Sequence, residues 1–278
     1  MESLKKNKIY VIKANGERVF FDYNKVRRTC IRAGASRKVS RIIADKVSRQ
    51  IYKNIRTSEI YKMVLKALAS EENGHIIKHR YRLKESIMHM GPAGFRFEDY
   101  IARVLESYGY QINALRTELD GRCVKHEIDI VAYSKEANKK YIIECKYHNM
   151  PGIFTGIKES LYTHARFLDL GSQFDAEMLV TNTKVSTDVI TYASCIGQKV
   201  LSWRYPPEKS LEKIIEEHGL YPLTILSLSK KEVFSLYENG VIIAKDLLLK
   251  DPEQLSNRTQ ISSNRIRNLQ DLVRQIIV

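Results

Sequence analysis

Lys125-His126-Glu127-Ile128-Asp129-Ile130-Val131-Ala132, followed by Tyr141-Ile142-Ile143-Glu144-Cys145-Lys146, decides how the chain is read. β-Branched and aromatic residues alternate with polar ones in both segments, which predicts two strands. The polar run 134–140 (SKEANKK) predicts the turn between them. Side chains of a strand alternate faces, so Glu127 shares a side with Asp129, and Glu144 shares one with Lys146. Neighbouring strands lie about 4.8 Å apart. Asp129, Glu144 and Lys146 can therefore meet on one face, while Ile128, Ile130, Ile143 and Cys145 make the other face apolar.

Two carboxylates at one spot repel unless a cation lies between them. Hard oxygen ligands in this number suit Mg²⁺, at roughly 2.1 Å, or Mn²⁺, with waters completing the shell. Such a metal can activate water at a phosphodiester, and a neighbouring lysine stabilises the developing charge. An Asp on one strand and Glu-x-Lys on the next resembles the PD-(D/E)xK nuclease superfamily, and more narrowly the Mrr-type restriction endonucleases. Gly94-Phe95-Arg96-Phe97-Glu98 is similar to that family's opening helix, which carries an accessory glutamate. Met178-Leu179-Val180-Thr181-Asn182-Thr183, continuing to a helix capped at Ser186, is similar to its later strand-turn-helix segment. The resemblance implies catalytic roles for Glu98, Asp129, Glu144 and Lys146, with Asp129 and Glu144 as metal ligands. It also implies an α/β/α sandwich with a mixed sheet. His148, on the strand parity of Lys146, is a weaker candidate for orienting water, and Tyr162 and His164 on the following helix are weaker still.

Charge is unevenly placed. The chain has 46 Lys and Arg against 32 Asp and Glu, and residues 1–90 hold 22 of the former and 8 of the latter. The entire net charge of +14 thus sits in the first third. That third is expected to meet a polyanion, either a nucleoside triphosphate or a nucleic-acid backbone.

Its local pattern fits the first of these. Asn15-Gly16 between two apolar runs signals a hairpin. Asp22 is expected to cap a first helix, Thr57 a third, and a fourth helix to span about His75 to His89. Val11-Ile12-Lys13-Ala14-Asn15-Gly16, Phe21-Asp22 with Lys25-Val26, Arg56-Thr57-Ser58-Glu59-Ile60 and His79-Arg80-Tyr81-Arg82 resemble the ATP-cone domain. The resemblance implies ATP or dATP as a regulatory ligand, with Lys13 and Lys25 at phosphates and Thr57 and Tyr61 near the nucleotide. Ala14 departs from the family, which places an arginine there. The alternative use of this surface is DNA phosphate contact through Lys13, Lys25, Arg27 and Arg28.

Gly91-Pro92-Ala93-Gly94 and Pro206-Pro207 read as joints. Beyond the second, short helices with tight turns resemble a helix-hairpin-helix pair that lacks its usual glycines. Arg258, Arg265 and Arg267 are its candidate DNA contacts, and a docking or dimerisation role stays equally open.

Together these readings predict an α/β multidomain chain: an ATP-cone of a hairpin and four helices over 1–91, a restriction-endonuclease-like sandwich over 92–206, and a small all-α helical domain over 207–278. No run of about 18 apolar residues is present, so no membrane span is expected. The start MESLKKNK has no apolar stretch behind its lysines, so no signal peptide is expected. Cys30, Cys123, Cys145 and Cys195 are widely spaced and read as reduced, mostly buried residues of a cytoplasmic protein. The expected activity is Mg²⁺- or Mn²⁺-dependent DNA cleavage under nucleotide control, in a homo-oligomer. The alternatives are a catalytically inert, ATP-responsive DNA-binding regulator and a junction-resolving nuclease.

Overall fold

The computed structural model describes residues 9–91 and 95–277. The opening 1–8 and the joint at 92–94 lie outside the described residues. The chain divides into two compact units, 1–83 and 84–278.

In the first unit, β1 (Tyr10–Ile12) and β2 (Arg18–Phe20) form the expected antiparallel hairpin. Gly16 turns it at φ +81°, a conformation that a side chain would strain. Helices α1 (Tyr23–Arg32) and α2 (Arg37–Ser48) follow, capped by the Asp22 and Ser36 side chains. A short strand β3 (Ile55–Arg56) then pairs parallel to β1. Helix α3 (Thr57–Ala69) begins one residue earlier than expected, so Thr57 is its first residue and Arg56 holds the cap position. The expected fourth helix is two, because the backbone at Arg82 relaxes to ψ 1°: α4 (Gly74–Tyr81) closes this unit, and α5 (Leu83–Met88) falls, but for its first residue, in the second. Val11, Cys30, Ile43, Ile55, Val64 and Leu68 pack into one core beneath the sheet and helices.

The second unit is built on a five-stranded mixed sheet in the order β10-β8-β6-β5-β4. Helix α6 (Phe95–Ser107) leads into β4 (Tyr110–Asp120), which pairs antiparallel with β5 (Lys125–Ser134). β4 runs five residues past the expected end at Leu115. Its polar Arg116–Asp120 stretch forms a two-stranded arm with the start of β5, exposed along one edge, which the charge pattern alone makes look like a loop. β5 turns through Asn138, at φ +51°, into β6 (Lys139–Lys146). β7 (Phe154–Thr155), α7 (Ile157–Leu170), β8 (Ala176–Thr181), β9 (Lys184–Val185), α8 (Thr187–Ile196) and β10 (Lys199–Leu201) complete the sheet region. β6, β8 and β10 run parallel, and β7 pairs with β9 as a small separate ribbon.

Two layers cover the sheet. Phe167 and Leu170 of α7 pack on Ile128, Val131 and Ile142. Val189 and Ala193 of α8 pack on Leu179 and Val200. Phe97 of α6 meets the Tyr147 ring at 5.4 Å, beyond the Cys145 side of β6, so α6 lies on the opposite face. The α/β/α sandwich with a mixed sheet is thus present. Helices α9 (Leu211–His218), α10 (Lys230–Glu238), α11 (Pro252–Thr259) and α12 (Ser263–Ile276) form the C-terminal helical region. The segment Ala244–Leu249, expected as a short helix, is 3-10. α6 belongs to both parts: Tyr100 Oη donates to Leu220 O at 2.8 Å, and Arg103 pairs with buried Asp246 at 2.8 Å. Residues 84–278 are accordingly one compact unit.

Cys30 and Cys145 are buried as expected, but Cys123 and Cys195 are exposed, because each sits in a polar stretch at a turn or on an outer helix face. No described helix is long and apolar enough to cross a membrane.

Candidate active site

The site lies where β5 enters the sheet and β6 leaves it. Ile130 is opposite Ile143 and Val131 is opposite Ile142. One step further, Asp129 faces Glu144 from the neighbouring strand, on the side covered by α7. Asp129 Oδ2 accepts from Cys145 N at 2.7 Å, which fixes its carboxylate against β6. Glu98 reaches the same region from the first turn of α6. Lys146 Nζ sits 3.8 Å from Glu159 Oε1 in the first turn of α7. The four candidate catalytic residues are therefore gathered at one end of the sheet.

Their electrostatics are those of crowded acids. Burial, with Asp129 next in effect, pushes the Glu144 carboxyl up to about 7. Burial raises Asp129, against the pull of the Cys145 amide and Arg166. Burial and then Asp129 raise Glu98. Arginines answer this charge. Arg166 of α7 donates through Nη1 to Glu144 Oε2 at 2.6 Å and to Glu127 O at 2.8 Å, and through Nη2 to Tyr162 Oη at 2.6 Å. Its Nε is buried without a hydrogen-bond partner. Arg116 of β4 bridges Glu98 at 3.3 Å and Asp99 at 2.9 Å. It stands at φ +47°, strained for a residue with a side chain.

This donor set fits a hard divalent cation. Two buried carboxylates on adjacent strands repel one another, and a cation between them relieves that repulsion. Among the described residues no group of three or more His, Cys, Asp or Glu side chains is placed to hold a metal. Most ligand positions would therefore fall to water and substrate oxygens.

Of the weaker candidates, Tyr162 joins the site through Arg166, and the two histidines are tied elsewhere. His148 Nε2 lies 3.1 Å from Thr155 Oγ1, within a buried cluster that includes Thr181 and Thr183. Burial, then Lys146, lowers its pKa. His148 is also clasped through its backbone by Asn182, at 2.9 and 2.7 Å. His164 Nδ1 pairs with buried Glu177 at 2.6 Å, beneath α7, and Gln198 bonds the same carboxylate at 3.1 Å.

Sequence reasoning missed Arg116, Glu159 and Arg166. Glu159, Tyr162 and Arg166, spaced three and four apart, form a polar stripe on α7 that helical periodicity could have exposed. Nothing in the sequence signals the backbone of Arg116.

The β4–β5 turn is held in place by α7. Asp169 accepts from Cys123 N at 2.9 Å, Val124 N at 3.2 Å and the His126 ring at 2.8 Å. The Cys123 and His126 side chains hold its carboxyl down at about 2. Gly121 leaves room for this clasp.

In the first unit, Ile12 is opposite Arg56 in parallel strands, so Lys13 and Thr57 leave the sheet at the same end. Tyr61 lies one turn along α3 and stacks on Tyr81 at 5.5 Å. Lys13 is paired with Glu17 at 2.9 Å. Lys25 lies in the first turn of α1, entered from the other end of the short sheet. Arg27 Nε is buried without a hydrogen-bond partner. In the C-terminal region Arg265 holds Ser227 O at 2.7 Å and Glu232 at 3.4 Å, and Arg267 pairs with Glu253. Arg258 lines a surface groove between α10 and α11.

Comparison with known proteins agrees with this layout. Residues 9–86 match the ATP cone domain, 92–201 the restriction endonuclease family, and 221–277 the AF1548-like C-terminal family. An uncharacterized protein of Archaeoglobus fulgidus is 39% identical over 156 residues, covering 56% of this chain and 87% of the relative. The crystal structure of AF1548, a protein of unknown function, superposes with a TM-score of 0.58 at 34% identity, covering 66% of this chain and 98% of that one. Can2 from Sulfobacillus thermosulfidooxidans, solved with cyclic tetra-adenylate, matches at TM-score 0.29 and 17% identity, over 64% of this chain and 47% of its own. VC1899 from Vibrio cholerae matches at TM-score 0.29 and 19% identity, over 69% and 47%.

Proposed function

The chain belongs to the AF1548-like family, and from that premise we propose that it is a metal-dependent DNA endonuclease controlled by a nucleotide in its ATP cone. One observation carries the reading: Asp129 and Glu144 face each other across adjacent strands of a restriction-endonuclease-like sheet, and the charge of Asp129 helps to raise Glu144. These two carboxylates would hold Mg²⁺ or Mn²⁺, which when bound lowers the pKa of a water and offsets charge on the phosphoryl oxygens. Lys146 ends β6 beside them. Its 3.8 Å pairing with Glu159 is loose enough to let the ammonium turn to a phosphoryl oxygen. Glu98 adds a third acid at the margin, steered by Arg116.

The cone supports ATP or dATP as a regulatory ligand, with Lys13, Lys25, Thr57 and Tyr61 as its contacts. Gating would act through association of copies of the chain into a homo-oligomer. We assign 1–91, 92–206 and 207–278 as cone, nuclease and helical domains, and Arg258, Arg265 and Arg267 as DNA contacts of the last. Four cysteines without a disulfide among the described residues support a reducing, cytoplasmic setting.

Supercoiled plasmid, linear duplex and a four-way junction, each with and without Mg²⁺ and ATP, test the reading. Cleavage should require the metal and fall by about a hundredfold or more in Asp129→Ala and Glu144→Gln. Undiminished cutting by either variant sinks the assignment. Preference for the junction would identify a resolving enzyme. A second reading rests on the 2.6 Å bond from Arg166 to Glu144, which already neutralises one acid. In it the fold is a catalytically inert, ATP-responsive DNA-binding regulator, which would retard DNA and cut none of the three substrates in Mg²⁺ or Mn²⁺.

A further inference from the structure

A cavity of about 560 Å³ opens at the end of the sheet remote from the carboxylates. It lies where β6, β8 and β10 begin, whereas Glu144 and Lys146 lie where β6 finishes. Five residues of β6 separate the two ends, roughly 17 Å at strand rise. The volume is that of a small-molecule site. Leu105, Met178 and Leu201 give it an apolar floor.

Two ammonium groups line it. Lys199 Nζ sits 4.8 Å from the Tyr141 ring centroid and 3.4 Å from Tyr110 Oη. Lys209 Nζ sits 5.7 Å from the Tyr108 ring centroid. Both rest on phenol rings and hydroxyls, and Glu136 is the one acidic residue among the described lining residues. Two ammonium groups against one carboxylate favour an anion, and a phosphate monoester, carrying up to two charges at neutral pH, matches a lysine pair. Bare inorganic phosphate would leave the apolar floor and the tyrosine rings without a partner. Glu136 and the Ser134 hydroxyl offer acceptors for a ligand hydroxyl or amino group.

We propose that this cavity binds a nucleoside 5′-monophosphate, either free or at the end of a DNA strand. The phosphate lies between Lys199 and Lys209, and the ring lies on the floor against Tyr108 or Tyr110.

Photolabelling of the full-length chain with 8-azido-AMP, followed by peptide mapping, tests this. Label should appear on peptides containing Tyr108, Tyr110 or Tyr205. Lys209→Met, an exposed position that leaves the fold untouched, should weaken competition by AMP about tenfold, and the Lys199→Met/Lys209→Met pair should weaken it further. AMP should compete far better than adenosine or inorganic phosphate. Stronger competition by a 5′-phosphorylated oligonucleotide identifies a strand end as the ligand, and stronger competition by AMP identifies the free nucleotide. Label confined to residues 9–86, equal competition by adenosine, or Lys209→Met behaving as the parent overturns the proposal.

Discussion

Glu144 is the residue on which the proposed chemistry and the stability of the second unit meet. Its carboxyl is raised from about 4.5 to about 7 in the folded chain, so the folded state binds a proton that the unfolded state has already lost. Its contribution is therefore fully present below about pH 4.5 and is lost as pH rises towards 7. In EDTA, urea unfolding followed at Trp203, the single tryptophan of the chain and a member of the second unit, should show stability falling by roughly 1–3 kcal/mol across that window. Glu144→Gln should flatten the slope. An unchanged slope would mean that the carboxyl is not buried with its neighbour. Arg166 sets the counter-charge. Arg166→Met should leave Glu144 more attractive to cations and tighten Mn²⁺ binding about tenfold by electron paramagnetic resonance, and weaker binding would assign the guanidinium a supporting role instead. The carboxylates were legible in the sequence because strand parity fixes which residues share a face. The arginines were not, since Arg166 reaches the site across a helix–sheet packing that a one-dimensional pattern does not specify.

At the scale of elements, α7 is the brace. Its Asp169 clasps the β4–β5 turn, His164 and Ser160 lie over the Glu177–Gln198 pair, Glu159 pairs with Lys146, and Arg166 reaches Glu144. The prediction here concerns Gly121. A Cβ at that position would run into the Asp169 carboxylate and lie 2.6 Å from Val124 O, a backbone atom that cannot yield cheaply. Gly121→Ala should cost about 2 kcal/mol and lower the melting temperature of the second unit, with Trp203 fluorescence as the readout. A neutral outcome would show that the clasp is dispensable. Hairpins, caps and helix faces were readable from local chemistry: Asn15-Gly16, Asp22 and Ser186 all do what their residue types favour. The extension of β4 and the split of the fourth helix at Arg82 were not, because partner strands and small shifts of ψ decide them.

For the whole molecule, the division into two units has a calorimetric signature. Heating should give two transitions, one for 1–83 and one for 84–278, and ATP should raise the first alone by mass action if it binds the cone. Three transitions would contradict that division, and an ATP shift in the second alone would contradict the cone as the ATP site. The sharing of α6 between sheet and C-terminal helices also bears on how the protein can be handled. The helix that carries Glu98 is anchored by Tyr100 to Leu220 and by Arg103 to Asp246, on the far side of Pro206-Pro207. Cutting the gene at that tempting dipeptide would not liberate a self-standing sheet domain. It would peel away one wall of the scaffold, and the damage would register as a loosened Glu98 beside Asp129 and Glu144.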